Sequence, residues 1–136
     1  MNRTLLVVVL FILGCQREAG REASREPAAK PDLIELRTPL PEAILVSPLT
    51  VEGRARGPWF FEASFPVYLL DASGDTIAVT PAQAQGEWMT PAFVPFKATL
   101  TFALPASPTG TLILTKDNPS GLAEHAAELR VPIRFH

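Results

Sequence analysis

A chain of 136 residues carrying 14 prolines has room for one domain and an appendage, and proline at about twice its usual ~5% argues against long helices. The formal net charge of −2 removes any electrostatic reason to expect nucleic acid or an anionic membrane surface as partner. A single cysteine permits no intramolecular disulfide, so the fold has to rest on its apolar core.

The chain opens Met-Asn-Arg-Thr-Leu-Leu-Val-Val-Val-Leu-Phe-Ile-Leu-Gly-Cys. Arg3 gives a positive start, and Leu5 to Leu13 is an unbroken apolar run of nine. That is too short for a membrane-spanning helix of ~20 residues and right for the apolar stretch of a signal peptide. Ile12-Leu13-Gly14-Cys15 resembles a bacterial lipobox, which implies removal of residues 1–14 as a signal peptide and acylation of the Cys15 thiol. An ordinary buried cysteine is the plain alternative, but the position of the one cysteine at the end of the apolar run favours the lipobox. Two or three acyl chains such as palmitate on one residue anchor stably where one would bind weakly. The expected location is extracytoplasmic, on the cell membrane through Cys15. In an organism with two membranes, Gln16 in place of Asp would point to the outer one.

Residues 16–42 alternate in charge, lack aromatics and repeat Arg-Glu-Ala or Arg-Glu-Pro three times. Such a segment buries too little apolar surface to offset its ordering entropy. The lipidated cysteine and a flexible tether are therefore assigned to 15–42, holding the domain roughly 25–30 Å from the anchor.

From Ala43 onward short strands alternate with turns. Ile44-Leu45-Val46 is followed by a strand over Thr50–Arg56. Gly57 to Asp71 then reads as one long strand, with Trp59, Phe61, Ala63, Phe65, Val67 and Leu69 on an unbroken apolar face. Asp71-Ala72-Ser73-Gly74-Asp75 is a turn, and Thr76–Thr80 returns with Ile77 and Val79 inward. Val94, Phe96, Ala98, Leu100, Phe102 and Leu104 give the cleanest alternation; Thr111–Lys116 and Leu129–Phe135 complete the set. Pro66 and Pro132 lack ladder donors and are expected at edges or bulges. Seven strands over the 94 residues from 43 to 136 predict an all-β, immunoglobulin-like antiparallel sandwich.

Several motifs in one order are similar to the bacterial spore-germination-associated immunoglobulin-like domain, a family found beside GerMN domains in envelope proteins. They are Ser47-Pro48, Val51-Glu52-Gly53-Arg54-Ala55, Trp59 to Val67, Gly86-Glu87-Trp88-Met89-Thr90, Lys116 to Gly121 and Val131-Pro132-Ile133-Arg134-Phe135. The resemblance covers Ile44–Phe135. It implies an immunoglobulin-like fold and an extracytoplasmic setting, and it brings no catalytic residue or ligand. No GerMN domain accompanies it in these 136 residues.

The strongest candidate binding loop is Asp117, Asn118, Pro119, Ser120 and Gly121, since polar loops at the end of a sandwich carry binding sites. The plainer reading is a turn in which Pro119 fixes φ and Gly121 takes a left-handed conformation. Ser120 lies outside any Gly-x-Ser-x-Gly elbow. Trp88 is a candidate exposed aromatic, whereas Trp59 shares the core parity of its strand. Glu62 has no second carboxylate or histidine to make it a general acid, and a cross-strand ion pair with Arg54 or Arg56 is expected instead. Asp71, Ser73 and Asp75 lack a calcium ligand series, and His125 and His136 lack zinc spacing. The reading is therefore a non-enzymatic module without metal or cofactor, binding or scaffolding another cell-envelope component, an envelope protein or glycan; direct glycan or cell-wall binding is the alternative.

Overall fold

A computed structural model describes residues 26–136; the signal-like segment, Cys15 and the Arg-Glu repeats up to residue 25 lie outside the described residues. Eight strands follow in chain order: β1 (Ala29–Lys30), β2 (Ile34–Thr38), β3 (Leu49–Arg56), β4 (Ser64–Asp71), β5 (Thr76–Ala84), β6 (Phe93–Leu100), β7 (Thr109–Thr115) and β8 (Glu128–Arg134). Single 3₁₀ turns occupy Gly57–Trp59 and Ala123–His125. All strands pair antiparallel in the order β1-β2-β3-β6-β5-β4-β7-β8. The corner is β5, which runs along β4 but meets β6 through Gln83↔Lys97 and Ala84↔Phe96.

This one sheet folds onto itself as an immunoglobulin-like sandwich. In a flat sheet β6 and β8 would lie four strand spacings apart, about 19 Å. Instead Phe102, just past β6, and Phe135, just past β8, have ring centroids 6.0 Å apart. Phe65 of β4 and Phe96 of β6 meet across the layers at 4.9 Å, edge to face. Pleat parity supplies the core directly. Val94, Phe96, Ala98 and Leu100 are buried on β6 between exposed Pro95, Lys97 and Thr99, and Leu129, Val131 and Ile133 repeat the pattern on β8. Each of these but Ala98 contributes about 1.5–3 kcal/mol on burial.

Three expectations are corrected. The domain begins well before residue 43. Ile34 and Leu36 are fully buried on β2, which pairs with β3 through Ile34↔Ala55, Glu35↔Arg54 and Leu36↔Gly53. The chain then crosses to the opposite edge, where Leu45 N–H donates to the Arg134 carbonyl and Arg134 N–H to that of Ala43. The first strand is thus split between two edges, and residues 43–45 cover β8.

Gly57 to Asp71 is not one strand. Glu62 and Ala63 both take left-handed backbone, φ 49° and 64°, and Phe61 and Ser64 exchange backbone hydrogen bonds across them. That is a two-residue turn of the mirror-image type suited to tight reversals. Trp59, Phe65, Val67 and Leu69 remain buried, while Phe61 is carried out to 42% exposure.

Val79 and Leu104 face solvent rather than the core. Val79 pairs with Tyr68, the outward residue between buried Val67 and Leu69, and Leu104 lies past the end of β6. Both prolines sit where a donor is dispensable. Pro66 faces Pro81 beyond the reach of β7, and Pro132 is on the edge strand β8.

Candidate functional site

Strand directions gather residues 31–33, 57–63, 85–92 and 116–127 at one end of the sandwich, here called the aromatic end. Residues 39–48, 72–75, 101–108 and 135–136 form the other, aliphatic end.

The aromatic end is built around Pro58. A Cβ on Gly57 would stand 1.8 Å from the Thr90 carbonyl oxygen and 2.4 Å from that of Trp88. Glycine is therefore what lets the 86–92 loop lie directly on the 57–61 turn, and Gly57 N–H donates to Ala92 O at 3.1 Å. The third loop is tied in by Asp117 N–H donating to the Trp59 carbonyl at 3.0 Å. Beneath them Phe65 packs in T-shaped pairs with Trp59 and Phe60, ring centroids 6.4 and 5.3 Å apart.

Three adjoining cavities open on this end, and Pro58 lines all of them. One of about 320 Å³ lies between Phe60, Phe61 and the loop from Lys116 to Ser120. A second of about 330 Å³ lies between Phe60 and Trp88 to Pro91. The third, about 510 Å³, is bounded by Leu33, Arg56, Trp59, Lys116 and the stretch from Glu124 to Ala127. Trp59 Nε1 is the one buried side-chain polar atom without a partner among the described residues. Orphaning it costs about 1–3 kcal/mol, which the surrounding ring packing offsets.

The structure thus brings together the sequence-derived candidates Trp88 and Asp117 to Gly121, on either side of Pro58 and Phe60. Trp88 is half-buried against the core, while Met89 beside it is 74% exposed. The Gly57-Pro58 turn and His125 belong to the same end and were missed as site residues. A Gly-Pro pair is a turn signal, and reading it so would have moved the start of the strand past Pro58 without exposing the break at Glu62-Ala63.

The 116–127 loop carries its own network. Gly121 has φ +67° and donates its N–H to the Asn118 carbonyl. Asn118 Nδ2 donates to the Leu122 carbonyl at 2.9 Å, which fixes the amide so that Oδ1 faces Ser120 Oγ at 2.6 Å. Ser120 Oγ also accepts from Leu122 N–H at 3.2 Å and lies 3.1 Å from His125 Nδ1. A hydroxyl has one proton, and here it goes to Asn118 Oδ1; His125 Nδ1–H then donates to Ser120. The serine–histidine pair is oriented as a loop brace, the reverse of a base accepting a proton from a nucleophile.

The expected pairing of Glu62 with Arg54 or Arg56 does not occur. Both arginines lie on β3, whose sheet neighbours are β2 and β6; β4 follows in sequence but not in the sheet. Glu62 instead tops the two-residue turn, exposed. Arg54 Nε donates to Glu35 Oε2 at 2.7 Å, and Arg56 lies 3.9 Å from Asp32 Oδ1. Both guanidinium groups stack on Phe93, at 4.5 and 3.9 Å from its centroid. Glu52 receives Arg37 and, at 3.9 Å, Lys97. The hydrogen bond from Arg54 holds the Glu35 carboxyl below its ordinary pKa and raises that of Arg54. Glu35, Arg37, Glu52, Arg54 and Lys97 line an open hollow of about 600 Å³ on the outer face of β2, β3 and β6, where the cations exceed the carboxylates by one.

No group of three or more His, Cys, Asp or Glu residues able to hold a metal occurs among the described residues, nor a helix long and apolar enough to cross a membrane. The family model for the immunoglobulin-like domain of bacterial spore germination matches residues 33–123. The chain belongs to that family. The match begins at the turn into β2, consistent with the early start of the domain, and stops short of β8. No curated protein and no solved structure matches the chain.

Proposed function

We propose that this germination-type immunoglobulin-like domain is a non-enzymatic binding or scaffolding module for another envelope component, held outside the cytoplasm by an acylated Cys15. The carrying observation is the aromatic end, where three cavities converge on Pro58 between loops braced by their own side chains. Rigid concave loops at one end of a sandwich suit recognition. The Ser120 hydroxyl donating to Asn118 supports binding over nucleophilic chemistry. Removing residues 26–136 while retaining the lipidated N-terminus should displace a discrete partner from its normal position in the envelope. Unchanged positions for all envelope proteins would count against this reading.

Direct glycan binding is the second reading. It is favoured by the placement of Trp88 and of Asp117 to Ser120 in cavities that share Pro58 and Phe60. Titration with peptidoglycan fragments should then shift the tryptophan emission, with the shift lost in Trp88→Ala; an unchanged spectrum at millimolar fragment would eliminate it.

A further inference from the structure

At the aliphatic end, residues 39–48 and 99–109 carry one charged side chain between them, Glu42. Leu40, Ile44, Val46 and Leu104 are exposed there to 37, 59, 72 and 62%. The two segments form one surface. Phe102 N–H donates to Ser47 Oγ at 3.0 Å, and Phe102 packs on Phe135. Leu45 turns inward while its neighbours Ile44 and Val46 turn out. In the acidic turn at the same end, Asp71 Oδ1 accepts from Ser73 N–H at 2.9 Å and Asp75 N–H at 3.0 Å, while Asp75 itself is exposed. Four large aliphatic side chains on two joined segments that carry one charge between them call for a cover.

The chain itself indicates which cover. Residues 28–30 run antiparallel to β2, with Leu36 N–H bonded to the Ala28 carbonyl and Pro27 beside Arg37. Going upstream, the chain therefore heads towards the aliphatic end. Ten residues, 16–25, separate the described domain from Cys15. Ten residues reach at most ~33–36 Å even fully extended, little more than the ~27 Å length of an eight-residue strand. A domain on so short a connection stays within about one domain length of the surface it is tethered to.

We propose that the aliphatic end rests on the lipid bilayer, with Ile44, Val46 and Leu104 entering the interfacial region and the aromatic end turned away from it. The inference rests on acylation of Cys15. Attachment is apolar, since neither segment offers a lysine or arginine to anionic headgroups. Zwitterionic lipid suffices, and salt has little effect.

The test uses the lipidated full chain in phosphatidylcholine vesicles, carrying Val46→Cys or Met89→Cys with an environment-sensitive thiol label. The label at position 46 should emit to the blue and be quenched by brominated lipid several-fold more strongly than the label at position 89. Adding Leu104→Asp should bring the two positions to the same level, whereas phosphatidylglycerol or added salt should leave the contrast intact. Equal, weak quenching at both positions on a chain whose Cys15 is acylated by mass overturns the docking while leaving the anchor in place. A mass showing unmodified Cys15 overturns both. Shielding of position 46 from aqueous iodide without quenching by brominated lipid would place another protein there and overturn the proposal.

Discussion

The two ends of the sandwich are made by the same strands and differ in almost everything else. The aromatic end is polar at its rim, concave, and braced by side-chain-to-backbone bonds through Asn118, Ser120, Glu87 and Thr90. At the aliphatic end, segments 39–48 and 99–109 carry one charge between them and together expose Leu40, Ile44, Val46 and Leu104. Loops that fix their own backbone can hold a recognition geometry. Loops that turn Leu, Ile and Val out to solvent, as 39–48 and 101–108 do, fit a non-directional, apolar contact. One domain can thereby address two environments at once.

The contrast predicts a graded response to substitution. Phe65→Ala, beneath the aromatic end at the junction of three rings, should cost about 3–5 kcal/mol in urea unfolding. Leu36→Ala should cost about 2–4 kcal/mol, because Leu36 is fully buried on β2. Leu104→Ala should be within about 0.5 kcal/mol of the parent, because Leu104 is 62% exposed. A small loss for Leu36→Ala would break the assignment of β2 to the domain.

Gly57→Ala tests the aromatic end by itself. The carbonyls of Trp88 and Thr90 cannot both stay in place, so a loss of about 1–3 kcal/mol should accompany a change in Trp88 fluorescence. Ser120→Ala removes the centre of the loop brace and should cost about 1 kcal/mol while loosening amide exchange over 118–125.

The smallest effect belongs to the charged outer face. The folded pKa of Glu35 is depressed by Arg54, so its contribution is complete above the unfolded carboxylate value of roughly 4.3 and is lost as pH falls through the folded value. Arg54→Met should abolish that acid-side dependence and change neutral-pH stability little, since exposed pairs contribute little.

Much of the fold was legible in period-two alternation. β6 and β8 carry uninterrupted parity, and their buried faces are the residues that parity names. β2 was not, because two buried positions, Ile34 and Leu36, are too few to stand out beside Pro31, Pro39 and Pro41. The break at Glu62-Ala63 was hidden because neither residue is a glycine, although both take positive φ. The candidate binding loop was visible from Pro119 and Gly121. Its partners across the end were not, since the approach of Pro58 and Trp88 depends on sheet folding and on a bare Cα at Gly57. The Glu62 pairing failed for the same kind of reason: sequence neighbours β3 and β4 are not sheet neighbours.

Photo-crosslinking in cells from both ends tests the division most directly. With a photoreactive residue at position 122 or 89, the lipidated chain should yield a discrete protein or glycan adduct; at position 46 or 104, it should yield lipid adducts. The same protein partner captured from both ends, or no adduct from the aromatic end at native expression, would contradict the account.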